Sequence, residues 1–131
     1  RTIKMHPMNL NQVPVRYLDV KREIAFYQKL GMRLIVKALP GYARLELPEG
    51  EATFSVHRVA KLPAGSGVMV YFESERLDAW VDELEGMGIL FEELPENRRW
   101  LWREARLRDP DGNLLVLYYA GDHRKNPPWR I

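Results

Sequence analysis

The feature that most constrains the fold is a repeat at a fixed offset. Val13, Val15 and Tyr17 alternate as strand residues do, and an amphipathic segment from Val20 to Leu30 follows, ending at Gly31-Met32. Val68, Val70 and Phe72 alternate likewise, and the segment 77–84 follows, ending near Gly86-Met87. The pairs Val13/Val68 and Gly31/Gly86 are both 55 positions apart, as are Ile35 and Leu90, which are expected in the strand after each helix. Self-similarity at one period means two copies of one supersecondary unit.

The rest of each copy reads as strands. In the first, 42–47 and 52–58 flank the turn residues Pro48-Glu49-Gly50-Glu51. In the second, 101–108 and 114–119 flank Asp109-Pro110-Asp111-Gly112-Asn113. Proline fixes φ and glycine accepts φ > 0, while Asp109 and Asp111 are most simply turn-formers. Each half is therefore βαβββ, an α+β arrangement, with module 1 at about 9–59 and module 2 at about 67–120. Ala60 to Ser66 is the joint. With 131 residues there is no room for two cores of ordinary size, so 9–120 is expected to form a single domain. Residues 1–8 are expected to be a flexible N-terminus, with Met8 a candidate native start. The stretch 121–131, with Pro127-Pro128, is expected to be an extended C-terminal arm, its Trp129 docked on the domain or on a partner.

Composition removes several classes of chemistry. There is no cysteine, hence no disulfide, thiolate nucleophile or Cys-ligated metal. No apolar run approaches a membrane span and no signal-peptide stretch opens the chain, so a cytoplasmic protein is expected. Charge is uneven: residues 1–48 carry 9 Lys and Arg against 3 Asp and Glu, whereas 73–96 carry 1 against 9. No basic stripe with interleaved aromatics results, and nucleic-acid binding is not expected. Arginine outnumbers lysine 14 to 6, which suits forked recognition of carboxylate or phosphate.

Alternation gives every strand an apolar and a polar face. The apolar sets (Val13, Val15, Tyr17; Ala43, Leu45, Leu47; Phe54, Val56; Ala105, Leu107) must pack under the helices. If the other faces curl toward a common cleft, it holds Gln12, Arg16, Tyr42, Arg44, His57, Trp102, Glu104, Arg106 and Tyr118 as candidate ligand-binding residues, with Glu46 and Ser55 nearby. Arg16, Arg44 and Arg106 then meet an anionic ligand, or pair with Glu46 and Glu104; Arg103 is another possible partner of Glu104. Trp100 and Trp102 either stack on a planar ligand or sit half-buried in the sheet. No Ser-His-Asp nucleophile signature is visible, and Gly65-Ser66-Gly67 is too short for a phosphate loop.

The runs Leu18-Asp19-Val20, Ala25-Phe26-Tyr27-Gln28-Lys29-Leu30-Gly31-Met32, Leu77-Asp78-Ala79-Trp80 and Arg108-Asp109-Pro110-Asp111-Gly112-Asn113 resemble the vicinal oxygen chelate superfamily. It includes glyoxalase I, extradiol dioxygenases, fosfomycin-resistance enzymes and bleomycin-resistance proteins. The resemblance implies paired βαβββ modules forming curved mixed sheets around a cleft. It also implies metal ligands on the first and last strand of each module. Those positions fall on Gln12, Ser55, Gly67 and Val116, with His57 replacing Ser55 if the alignment slips by two. Glycine and valine offer no ligand, so the usual metal site and the chemistry that needs it lose their support. The expected function is binding or transforming a small polar or anionic molecule without a cofactor. One alternative is a divalent-metal lyase or dioxygenase using Gln12, His57 and Glu104. The other is a non-catalytic, antibiotic-sequestering protein. A homodimer is expected.

Overall fold

A computed structural model describes residues 10–62, 64–65 and 67–131. The readings placed on residues 1–8, including Met8 as native start, lie outside the described residues. The chain divides into two compact units, Arg1–Leu62 and Pro63–Ile131, with the boundary inside the expected joint. Each unit gathers its own sheet and helix, because among the described residues the strand pairings are made within a unit.

The first unit runs β1 (Gln12–Tyr17), α1 (Val20–Leu30), β2 (Arg33–Ala38), β3 (Tyr42–Glu46), β4 (Thr53–Arg58). The second runs β5 (Val70–Glu73), α2 (Leu77–Gly86), β6 (Glu93–Asn97), β7 (Arg103–Arg108), β8 (Leu114–Tyr119). Sheet orders are β1-β4-β3-β2 and β5-β8-β7-β6, with β1/β4 and β5/β8 parallel and the other neighbours antiparallel. Pro14 and Pro95 both lie on edge strands, where a missing N–H is tolerated.

Local chemistry explains the helix bounds. Asp19 caps α1, its carboxylate accepting from the Arg22 N–H at 3.2 Å, and Gly31 at φ 117 ends it with its own N–H donating to the Gln28 carbonyl. The buried stripe Val20, Ile24, Tyr27, Leu30 faces the sheet, where the Tyr27 and Phe54 rings approach to 4.6 Å. In the second unit Leu77, Val81 and Leu84 pack over Ala105, Leu107, Leu115 and Leu117, and these sheet residues are fully buried. The repeat is visible in the register: Val15 pairs with Val56 and Val70 with Leu115, so residues 55 apart take equivalent buried places.

The offset changes past the strand. The counterpart of Gly31 is Gly88 at φ 87, since four residues separate Phe72 from Leu77 where two separate Tyr17 from Val20; Gly86 is the last helical residue. Leu90 is 87% exposed and precedes β6, whose pairing starts only with the Glu92 N–H on the Arg106 carbonyl. Val68 is exposed ahead of β5, and Leu101 adopts φ 70 in the β6–β7 turn rather than opening a strand. The C-terminal stretch is not extended throughout. Gly121–Arg124 form a 3-10 helix, because the Glu73 carboxylate accepts from the Ala120 and Gly121 N–H groups and bends the chain there. Trp129 is 56% exposed instead of docked on its own chain.

Candidate functional site

Residue alternation and strand register together build a three-by-three array on the face of the first sheet away from α1. Across β1, β4 and β3 the rows are Arg16, His57, Tyr42; then Pro14, Ser55, Arg44; then Gln12, Thr53, Glu46. The last row is already partnered: the Thr53 hydroxyl donates to Gln12 Oε1 at 3.0 Å, and Glu46 pairs with Arg33 of β2.

The upper two rows form a connected group. Ser55 Oγ and His57 Nε2 are 3.1 Å apart, the hydroxyl donating or accepting according to the tautomer. The Tyr42 ring meets the His57 ring edge-on at 4.8 Å, and its hydroxyl accepts from Arg44 Nε at 2.8 Å. The Arg44 guanidinium lies 5.5 Å from the Tyr42 ring centroid. Among the described residues, neither Arg16 nor the terminal nitrogens of Arg44 meet a carboxylate. Ser55 is fully buried, so it fixes the His57 ring and cannot itself be reached as a nucleophile.

Gln12 and His57 are not brought together. They stand four residues apart in the β1/β4 register, about 13 Å at the rise of a strand, and each is engaged by a different neighbour. Of the positions the resemblance assigns to metal ligands, Gly67 has no side chain and Val116 is buried among Tyr118, Ala120 and Trp102. Ser55 is held by His57. These donors do not fit a four-ligand divalent site. Among the described residues no three of His, Asp and Glu cluster within reach of one ion.

Trp102, Glu104, Arg106 and Tyr118 share one face of the second sheet. Rows across β5, β8, β7 and β6 read Tyr71, Val116, Arg106, Glu93 and Glu73, Tyr118, Glu104, Glu96. Glu104 is 1% exposed, with Oε2 accepting from Trp100 Nε1 at 2.8 Å and Oε1 from Arg106 Nη2 at 3.4 Å. Arg98 bridges Glu93 and Glu96, and Arg106 Nε is 3.2 Å from Glu93. Arg103, the other partner considered for Glu104, forks onto Asp78 instead and holds that carboxyl below its ordinary value. Trp102 stacks on Tyr118 at 4.9 Å, with Tyr71 edge-on to both. Sequence reasoning passed over Tyr71, although its alternation with Val70 and Phe72 already placed it on this face. Asp109 does hold its turn, accepting from the Asp111 and Asn113 N–H groups and from the Asn113 amide.

Burial raises the Tyr118 hydroxyl above its ordinary value of 10, and the Glu73 carboxylate adds to this. A folded-state value raised in this way gives stability that is whole below pH 10 and is lost as pH climbs through the folded value. The phenolate absorbance difference between wild type and Tyr118→Phe should therefore rise only above pH 10. A difference complete below that pH would contradict the buried setting.

The sequence profile of the Glyoxalase/Bleomycin resistance protein/Dioxygenase superfamily matches residues 9–117. The uncharacterized protein YraH of Bacillus subtilis (strain 168) is 30% identical over 125 residues, covering 85% of this chain and 98% of YraH. Solved structures that share the fold include two whose superposition covers most of this chain. A glyoxalase/bleomycin resistance protein/dioxygenase from Nocardioides superposes with a TM-score of 0.77 at 21% identity, covering 98% of this chain and 93% of that one. Lactoylglutathione lyase from Agrobacterium tumefaciens does so with 0.73 at 17% identity, covering 86% and 94%. No helix among the described residues is long and apolar enough to cross a membrane.

Proposed function

This chain belongs to the Glyoxalase/Bleomycin resistance protein/Dioxygenase superfamily, and from that premise we propose that it binds a small anionic molecule on the polar face of its first sheet. The observation that carries this reading is the pair of guanidinium groups, Arg16 and Arg44, flanking His57 without a carboxylate partner among the described residues. Their forked donors match carboxylate and phosphate oxygens. Tyr42 holds Arg44 in place, and Ser55 holds the His57 ring, so the donors are oriented before a ligand arrives. The charge of the unit works the same way: residues 1–62 carry 11 Lys and Arg against 5 Asp and Glu.

A panel of small carboxylates, phosphates and phosphonates, each with its neutral amide or ester, tests the reading by thermal shift. Anions should raise the midpoint and their neutral counterparts should not. Equal shifts from both would refute it.

A second reading, ligand sequestration without chemistry, is favoured by the Tyr71, Trp102 and Tyr118 rings, of which Tyr71 is 37% exposed. A planar aromatic compound would stack there, in a homodimer. Sedimentation showing only monomer at all concentrations would sink this reading.

A further inference from the structure

The first sheet has a second side. Phe54, Val56 and Arg58 alternate with Ser55 and His57, so Arg58 emerges on the side covered by α1. There, where β1 and β4 end side by side, an open groove of about 500 Å³ lies between the first turn of α1 and the β2–β3 turn. Its walls are mostly apolar: Leu18, Val20, Leu39 and Pro40. Leu18 is 43% exposed, so its side chain is open to a ligand in the groove. Two cations, Lys21 and Arg58, complete the lining, and neither has an ionic partner among the described residues. Asp19 also lines the groove, with Oδ1 accepting from the Arg22 N–H, so two cations stand there against one carboxylate. The volume falls in the range of small-molecule sites.

We propose that this groove is a second binding site, for a free monoanionic amphiphile: a carboxylate on a short, unbranched aliphatic chain. The carboxylate sits between Lys21 and Arg58, and the chain lies along Leu18, Leu39 and Pro40. Apolar walls alone would take any aliphatic compound, and cations alone any small anion. The combination selects a molecule that carries both. The site does not depend on the anion-binding face described above, since Arg58 and His57 project to opposite sides of β4.

The test is a titration of ¹⁵N-labelled full-length protein with octanoate, with 1-octanol and acetate as separate arms. Octanoate should give saturable amide shifts at Leu18, Val20, Lys21, Leu39 and Arg58. Octanol and acetate should each bind more weakly by roughly tenfold. Lys21→Ser combined with Arg58→Ser, both at exposed positions, should weaken octanoate by roughly tenfold while leaving the rest of the spectrum unchanged. Equal binding of octanol, no saturable shift, or no loss in the double variant would overturn the proposal. So would shifts confined to Arg44, Ser55 and His57, a result that would leave the first-sheet anion reading standing.

Discussion

Replacing Glu104 by alanine should lower the stability of the second unit by about 2 to 3 kcal/mol, the cost of stranding buried partners of a charge. The carboxylate is 1% exposed and holds Trp100 Nε1 and Arg106 Nη2, with Arg98 Nε at 3.9 Å. Its loss leaves the indole N–H without an acceptor. Both arginines keep Glu93, which holds the cost below that of a fully isolated pair. Glu104→Gln preserves an acceptor for Trp100 and should cost about 1 kcal/mol. All four tryptophans, Trp80, Trp100, Trp102 and Trp129, belong to the second unit, so urea unfolding followed by tryptophan fluorescence reports that unit alone. A midpoint unmoved in the alanine variant would show that the carboxylate is not structural.

The second large effect is on binding. For the tightest anion of the thermal-shift panel, Arg44→Ala should weaken affinity by about tenfold to a hundredfold, the worth of a charge-assisted contact in a half-buried setting. Arg16→Ala, at a more exposed position, should cost about tenfold or less. Tyr42→Phe keeps the ring and removes only the acceptor of Arg44 Nε, so its loss should be smaller than that of Arg44→Ala. Calorimetric titration of the three variants measures this order. Equal affinity in wild type and Arg44→Ala would place the anion elsewhere.

What could be read from the sequence was what local chemistry decides. The bounds of α1 follow from Asp19 and Gly31, two residues whose side chain and φ act within one turn. The Asp109 turn is equally local. Alternation placed all nine candidate residues on the faces away from the helices. Pairings that join distant positions were not legible. Glu73 captures two N–H groups 47 and 48 residues away and bends the C-terminal stretch, and nothing near Gly121 signals it. Arg103 had Glu104 beside it in sequence yet pairs with Asp78 on α2. Glu104, a charge on a nominally open face, is buried because the β6–β7 turn, with Leu101 at φ 70, brings Trp100 onto it. The register that separates Gln12 from His57 likewise depends on how β1 slides against β4, which periodicity alone does not fix.

The central claim is that the first sheet presents an oriented anion site at Arg16, Arg44 and His57. Chemical-shift mapping of ¹⁵N-labelled protein with the tightest anion of the panel tests it most directly. Saturable shifts centred on Arg16, Tyr42, Arg44, Ser55 and His57, lost in Arg16→Ala combined with Arg44→Ala, are the predicted result. Shifts that avoid these residues, or that persist in the double variant, would contradict it.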